Sequence, residues 1–298
     1  MAIYRLPHLA ATVLLLLAAA APAKAQPKSA TEQAWQDYIR NTEARRAREI
    51  AARSGTATTP TAPVTRPGPG VTVTPIGENG SDGSVEIAGG ALVHHWRGRI
   101  VIPGVTLEDV LRQVRRAPRQ SDVLASKILE DRGDTLRVYL KLTRKELITV
   151  TYNTEHLVEL TRHGPGRASS RSVATKIAEL ADAGTPRERE KPAGSDLGLL
   201  WRLNAYWWYE EVPGGVLVEC ESLSLSRGIP LLLKPFASGT VDRIARESMA
   251  RTLETFSQQT RQHARTETST SDAARGFNGA ATGVGPAAPG GTGHFMGY

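Results

Sequence analysis

The chain has 298 residues, a formal net charge of +7 and a single cysteine. One cysteine excludes an intramolecular disulfide, so an apolar core must hold the fold together. The basic residues are scattered, with Arg45, Arg46 and Arg48 in one segment and Arg112, Arg115, Arg116 and Arg119 in another. Phosphate or anionic-lipid binding would need these charges gathered on one face, so the distribution reads as a solvated surface, and no nucleic-acid partner is expected.

At the N-terminus, Arg5 precedes an apolar run from Leu9 to Ala21, with Leu14, Leu15, Leu16 and Leu17 at its centre. Pro22 breaks the run, and Ala23-Lys24-Ala25 places small residues where a signal peptidase needs them. This order predicts a secretory signal over residues 1–25, cut between Ala25 and Gln26. The run is shorter than the roughly 20 apolar residues of a permanent span, and no cysteine follows it for lipid attachment. The expected location is periplasmic or secreted, with no stable membrane span after cleavage.

Residues 26–53 are expected to be helical. From Ala30 to Arg53, Trp35, Tyr38, Ile39 and Ile50 make a weak apolar stripe, and the second half is rich in Glu, Arg and Ala. The sequence names no partner for this helix. Residues 54–83, rich in Thr, Pro and Gly, read as a linker.

A foldable region over residues 84–265 is long enough for one substantial core. On its first strand, Leu92, His94, Trp96, Ile100 and Ile102 share one side, and His95, Arg97 and Arg99 the other. Thr106 then caps a helix, with Asp109 in the capping-box position and Leu107, Val110, Leu111 and Val114 as its stripe. Pro118 ends that helix. Asp122–Glu130 fits a strand or a mixed segment, and Gly133-Asp134 a turn. Leu136, Val138, Leu140 and Leu142 alternate against Arg137, Tyr139 and Lys141. Leu147–Tyr152, His156–Thr161 and Ser169–Leu180 read as further strand, and Ala183–Asp196 as a loop. Trp201, Leu203, Ala205, Trp207 and Tyr209 share a face of the next strand, and Pro213-Gly214-Gly215 turns into a return strand, Val216–Leu225. Val241–Arg265 is expected as an amphipathic helix. Residues 266–298, with almost no aliphatic side chains, read as a disordered tail.

The order predicts an α+β fold: a curved antiparallel sheet with a long C-terminal helix laid in its mouth. The chain resembles the START-like helix-grip superfamily, also called SRPBCC, which includes polyketide cyclase-like and lipid-transfer members. Four segments carry the resemblance. They are Leu92–Gly98 with Val101–Thr106, Leu200–Trp207, Val218–Ser222, and the closing helix after Pro235. The resemblance implies a container for a hydrophobic small molecule or lipid, most often without catalysis. No family catalytic motif can be matched residue by residue.

Candidate ligand-binding residues are Trp96, Leu140, Trp201, Trp207 and Tyr209, large apolar groups suited to lining a concave sheet. Arg227–Gly239 is a candidate flap over its mouth. The alternative is a cyclase- or hydratase-like enzyme using His94, Glu219 or Glu221 as acid or base; a non-ligand-binding interaction module is a further alternative. Glu219 and Glu221 lie two apart on a strand and so share a face, fitting an acid/base pair or a solvated strand face. Which face of Val216–Leu225 turns inward stays open, because Leu223 and Leu225 have the same parity as the two glutamates. His94 and His95 point to opposite faces and cannot share a metal ion. No metal or cofactor site and no catalytic residue is assigned. Gly-x-Ser-x-Gly, phosphate-loop, HExxH and Cys-x-x-Cys motifs are all missing from the sequence.

Overall fold

The computed structural model describes residues 27–55, 70–77, 83–145, 149–228 and 234–279. The expected signal and its cleavage site at Ala25 and Gln26 lie outside them. Helix α1 (Ser29–Gly55) is followed by β1 (Thr72–Pro75), β2 (Ser84–Ile87), β3 (Ala91–Pro103) and helix α2 (Leu107–Val114). Strands β4 (Val123–Asp131), β5 (Thr135–Lys145), β6 (Thr149–Arg162), β7 (Arg167–Ala181), β8 (Arg189–Glu190), β9 (Arg202–Val212) and β10 (Gly215–Ser226) precede helix α3 (Lys234–Gly279). All strand pairs are antiparallel. The main order is β1-β3-β10-β9-β7-β6-β5-β4, with β2 on the free edge of β3 and β8 on β7. The sheet is curved and unclosed. Against its concave face lie α2 and α3, and the architecture is the α+β one expected, a curved antiparallel sheet gripping a long C-terminal helix.

Several boundaries differ from the sequence-based expectation. β1 falls inside the expected linker and pairs with Trp96–Arg99 of β3. β6 runs as one strand through both of its expected runs. α3 extends past Arg265 to Gly279, so residues 266–279 continue the helix instead of starting a tail. Helical hydrogen bonds are local and do not require core residues to propagate. The rest of the expected tail, 280–298, lies outside the described residues. Of the expected flap, residues 229–233 lie outside them too, and Lys234–Gly239 are helical.

Local chemistry explains how the concave face is built. Thr106 caps α2: its hydroxyl accepts from Asp109 N–H (3.3 Å) while Thr106 N–H donates to Asp109 Oδ2 (2.8 Å). Leu107, Val110 and Leu111 are thereby set into one cluster with Ile100 and Ile102 of β3 and Met249 and Leu253 of α3. Gly98 permits the close approach of α3, since a Cβ there would sit 2.5 Å from Leu253 Cδ1 and 2.8 Å from Met249 Cγ.

The convex face is covered by α1. Thr31, Trp35, Ile39, Thr42 and Arg46 are its buried positions, spaced as one helix face. The N-terminal half of that face is apolar: Trp35 and Ile39 pack with Val93, Tyr206, Leu223 and Leu225. The C-terminal half is charged because the sheet beneath it is charged. Glu219 and Glu221 of β10 point outward, 1% and 0% exposed, under the helix. Glu221 accepts from Arg46 Nη1 (2.8 Å), Arg97 Nη2 (2.7 Å) and His95 Nε2 (2.7 Å), and also from Arg45. Glu219 accepts from Arg99 Nε (2.6 Å) and Arg53 Nη2 (3.4 Å).

Burial alone would raise the proton affinity of Glu221. The His95 hydrogen bond and the charges of Arg97 and Arg46 more than reverse this, holding it well below the ordinary carboxylate range. His95 is also shifted down, from 6.5, chiefly by burial, which for an imidazole favours the neutral form. A neutral His95 must donate from Nε2 to the carboxylate, so its Nδ1 accepts from Tyr38 O–H at 2.9 Å. The face assignment left open by the sequence is thus settled without any bulge in β10.

Removing one partner from a buried ionic cluster strands the others, at a cost of about 3–5 kcal/mol. Glu221→Gln is expected to lose that much in urea unfolding at neutral pH, while Glu254→Gln, on an exposed position of α3, changes little. A depressed carboxylate stabilises fully above its unfolded-state value of about 4.5 and loses that contribution as pH falls below it. The stability of Glu221→Gln should therefore decline less steeply in acid than that of the wild type. Parallel acid profiles would contradict this assignment.

Candidate ligand cavity

Because opposed residues of an antiparallel pair point the same way, the register identifies the floor of the concave face. Trp96 of β3, Ser222 of β10, Ala205 of β9, Ser172 of β7 and Val158 of β6 form one row across five strands. Three of the five are small. Two more serines, Ser224 and Ser226, follow on the inward positions of β10. Toward the other end of the same strand the inward positions are Val216, Val218 and Cys220, which pack in the core. Between the small-residue floor and α3 the side chains therefore do not meet. A cavity of about 780 Å³ remains there.

Its walls are mainly apolar. Leu140 and Leu142 of β5, Leu203 and Trp207 of β9, and Met249 and Phe256 of α3 contribute to them. Trp207 stacks with Tyr209 at 6.3 Å between ring centroids and lies 5.6 Å from Phe256. The Tyr209 hydroxyl is bonded to Ser170 Oγ at 3.0 Å, and burial raises its proton affinity above the ordinary phenol value. Burial likewise pushes the Cys220 thiol up, which leaves it protonated and unreactive.

His94 is the most polar group of the floor. Its Nδ1 lies 2.8 Å from Ser84 Oγ and its Nε2 2.9 Å from Ser226 Oγ. Enclosure lowers it from 6.5 to about 4. His156, on the β6 side of the wall, is lowered to about 4 for the same reason. Both rings are therefore neutral near pH 7 and serve as hydrogen-bonding groups.

Among the residues singled out from sequence, Trp96, Leu140, Trp207, Tyr209 and His94 line the cavity. Trp201 does not. It precedes β9, donates its backbone N–H to Leu225 O (2.7 Å), and packs with the convex-face cluster of Trp35 and Tyr206. Glu219 and Glu221 are on the opposite side of the sheet, so neither is a cavity acid or base. The enzymatic alternative keeps only His94 of its three candidates. The small inward residues Ser172, Ala205, Ser222, Ser224 and Ser226 were not singled out. Their signal was present in Glu221-Ser222-Leu223-Ser224-Leu225-Ser226, where polar, small residues alternate with leucines. Among the described residues no group of His, Cys, Asp and Glu could hold a metal ion.

No protein-family model matches the chain, and neither does any curated protein. Solved structures with a similar arrangement include a STAR-related lipid transfer protein fragment from Xanthomonas axonopodis. It is 19% identical, covers 60% of this chain and 99% of its own, and has a TM-score of 0.42. Human StAR-related lipid transfer protein 5 is 15% identical over 75% of this chain and 99% of its own, with a TM-score of 0.36. The di-domain ARO/CYC StfQ from the steffimycin biosynthetic pathway is 13% identical over 57% of this chain and 49% of its own, with a TM-score of 0.32. At these values the likeness carries nothing about ligand or activity.

Neutral His94 has a measurable consequence. In the unfolded chain it takes a proton near 6.5, and in the folded one only near 4, so folding stability drops as pH falls between those values. Imidazole nitrogen shifts recorded by NMR should show His94 still neutral at about pH 5.5. Titration near 6.5 would mean that the ring is in open solvent.

Proposed function

We propose that the protein binds and carries a hydrophobic small molecule or lipid in the cavity between the concave sheet and α3. The observation that carries this reading is the cavity itself. Its volume, about 780 Å³, falls in the range of roughly 300–1,000 Å³ usual for small-molecule sites. Protein cores normally pack without voids of this size, and here the space follows from Ser172, Ala205 and Ser222 standing where larger side chains would fill it. Apolar walls would supply the affinity, by release of water from wall and ligand. His94 and the serines would orient polar groups of the guest.

We further propose that the chain is exported and that residues 1–25 are removed between Ala25 and Gln26. The charged n-region, the short apolar run and the small residues before Gln26 support this. A guest acquired there would come from the cell envelope or beyond it.

Binding of Nile red, an uncharged lipophilic dye, tests the carrier reading. The wild type should bind it with a fluorescence increase, and Ala205→Leu combined with Ser222→Leu should weaken binding by at least about tenfold by occupying the floor. Thermal unfolding should show the double variant still folded. Equal dye affinity in a folded double variant would contradict the reading.

A further inference from the structure

The charged groups on the cavity wall are all of one sign. Arg116, Arg119, Arg144 and Arg227 line it, and no Asp, Glu or Lys does so among the described residues. Three of the four arginines gather at one end. Arg116 and Arg119 lie in the connection from α2 to β4, and Arg144 lies at the far end of β5. Thr143 N–H donates to Asp122 O (2.8 Å), which draws the end of β5 against that connection. Gln259 of α3 closes the cluster by donating to the Arg119 carbonyl. His263, one turn further along α3, is shifted down from 6.5, chiefly by burial and then by the charges of Arg116 and Arg119 among others.

The partners of these arginines are uneven. Arg116 is paired with Glu267 (2.9 Å), half-exposed on α3, and Arg144 with Asp122, while the Arg119 guanidinium has no carboxylate partner among the described residues. Neither Glu267 nor Asp122 lines the cavity. A guest reaching this end therefore meets a positive rim, with the side-chain amides of Gln113, Gln120 and Gln259 beside it. The remainder of the space runs along α3 from Ala245 to Gln259, about 21 Å at the helical rise of roughly 1.5 Å per residue. A mainly apolar compartment with three of its four guanidinium groups gathered at one end matches a molecule with the same asymmetry.

We propose that the guest is an anionic amphiphile, with a carboxylate or phosphate head held by Arg119, Arg116 and Arg144 and an apolar chain lying along α3. This rests on the carrier reading above and narrows it from hydrophobic molecules in general to those with a negative end. Neutral polycyclic guests and cationic amphiphiles are disfavoured. The charge contribution weakens as salt screens the partly exposed rim.

Displacement of Nile red from the full chain by amphiphiles of one chain length tests it. Dodecanoate and dodecyl phosphate are each expected to displace the dye at about tenfold lower concentration than dodecanol, with dodecyltrimethylammonium weakest. In Arg119→Gln, and in Arg119→Gln with Arg144→Gln, the ratio of dodecanoate to dodecanol affinity should fall toward about twofold. Arg132→Gln, in the exposed turn between β4 and β5, should keep the wild-type ratio. Phosphate outperforming carboxylate, or the reverse, supports the inference and identifies the head group. Equal affinity for dodecanoate and dodecanol in the wild type overturns it while leaving the carrier reading intact. Failure of Nile red to bind at all overturns both.

Discussion

Two carboxylates under a helix organise this molecule. Glu219 and Glu221 project from the middle of β10 on the convex side of the sheet, and water does not reach either of them. An isolated buried carboxylate is too costly to sustain. The pair persists because Arg97 and Arg99 reach across from β3 while Arg45, Arg46 and Arg53 come down from α1. Helix α1 therefore completes the fold: without it, Glu219, Glu221, Arg97 and Arg99 would lose three cationic partners and their cover. With the convex face sealed by charge, the opposite parity of the same strands is free for a different purpose.

That second purpose shows in side-chain size. On the concave face the residues that touch α2 and the lower part of α3 are large and interlocked. The row from Ser222 through Ala205 to Ser172 is small. A sequence selected only for stability would place leucine or isoleucine there and gain burial of roughly 0.8 kcal/mol per methylene group. The small residues instead give up that packing along a band spanning several strands. The histidines on the same face are neutral and hydrogen-bonded, and the thiol is protonated. These groups can hydrogen-bond a guest, in keeping with the carrier reading proposed above.

Much of the scaffold was legible in the amino-acid order. Alternation on β3 and β9 assigned most side chains to the correct faces, because strand periodicity is a strict geometric rule. The Thr106–Asp109 box marked the start of α2 for an equally local reason. What escaped is non-local. The buried stripe of α1 changes from Trp35 and Ile39 to Arg46, and a hydrophobic pattern cannot register a helix face whose partner is a carboxylate 175 residues away. Glu219 and Glu221 were ambiguous for the same reason, since Leu223 and Leu225 share their side only because α1 covers both stretches. Trp201 was placed on the cavity face by extending the parity of β9 one residue too far. The cavity floor was overlooked because attention went to the large residues of the wall, whereas the empty space is made by the small ones.

The central claim is that the sheet divides its labour, with α1 held by charge on one face and a guest on the other. Native mass spectrometry of the protein, isolated in mild conditions from the cells that naturally make it, tests this most directly. The account predicts a mass excess equal to one lipophilic molecule per chain, lost on gentle activation and recovered in an organic extract. A bare chain mass, with nothing apolar in the extract, would contradict it.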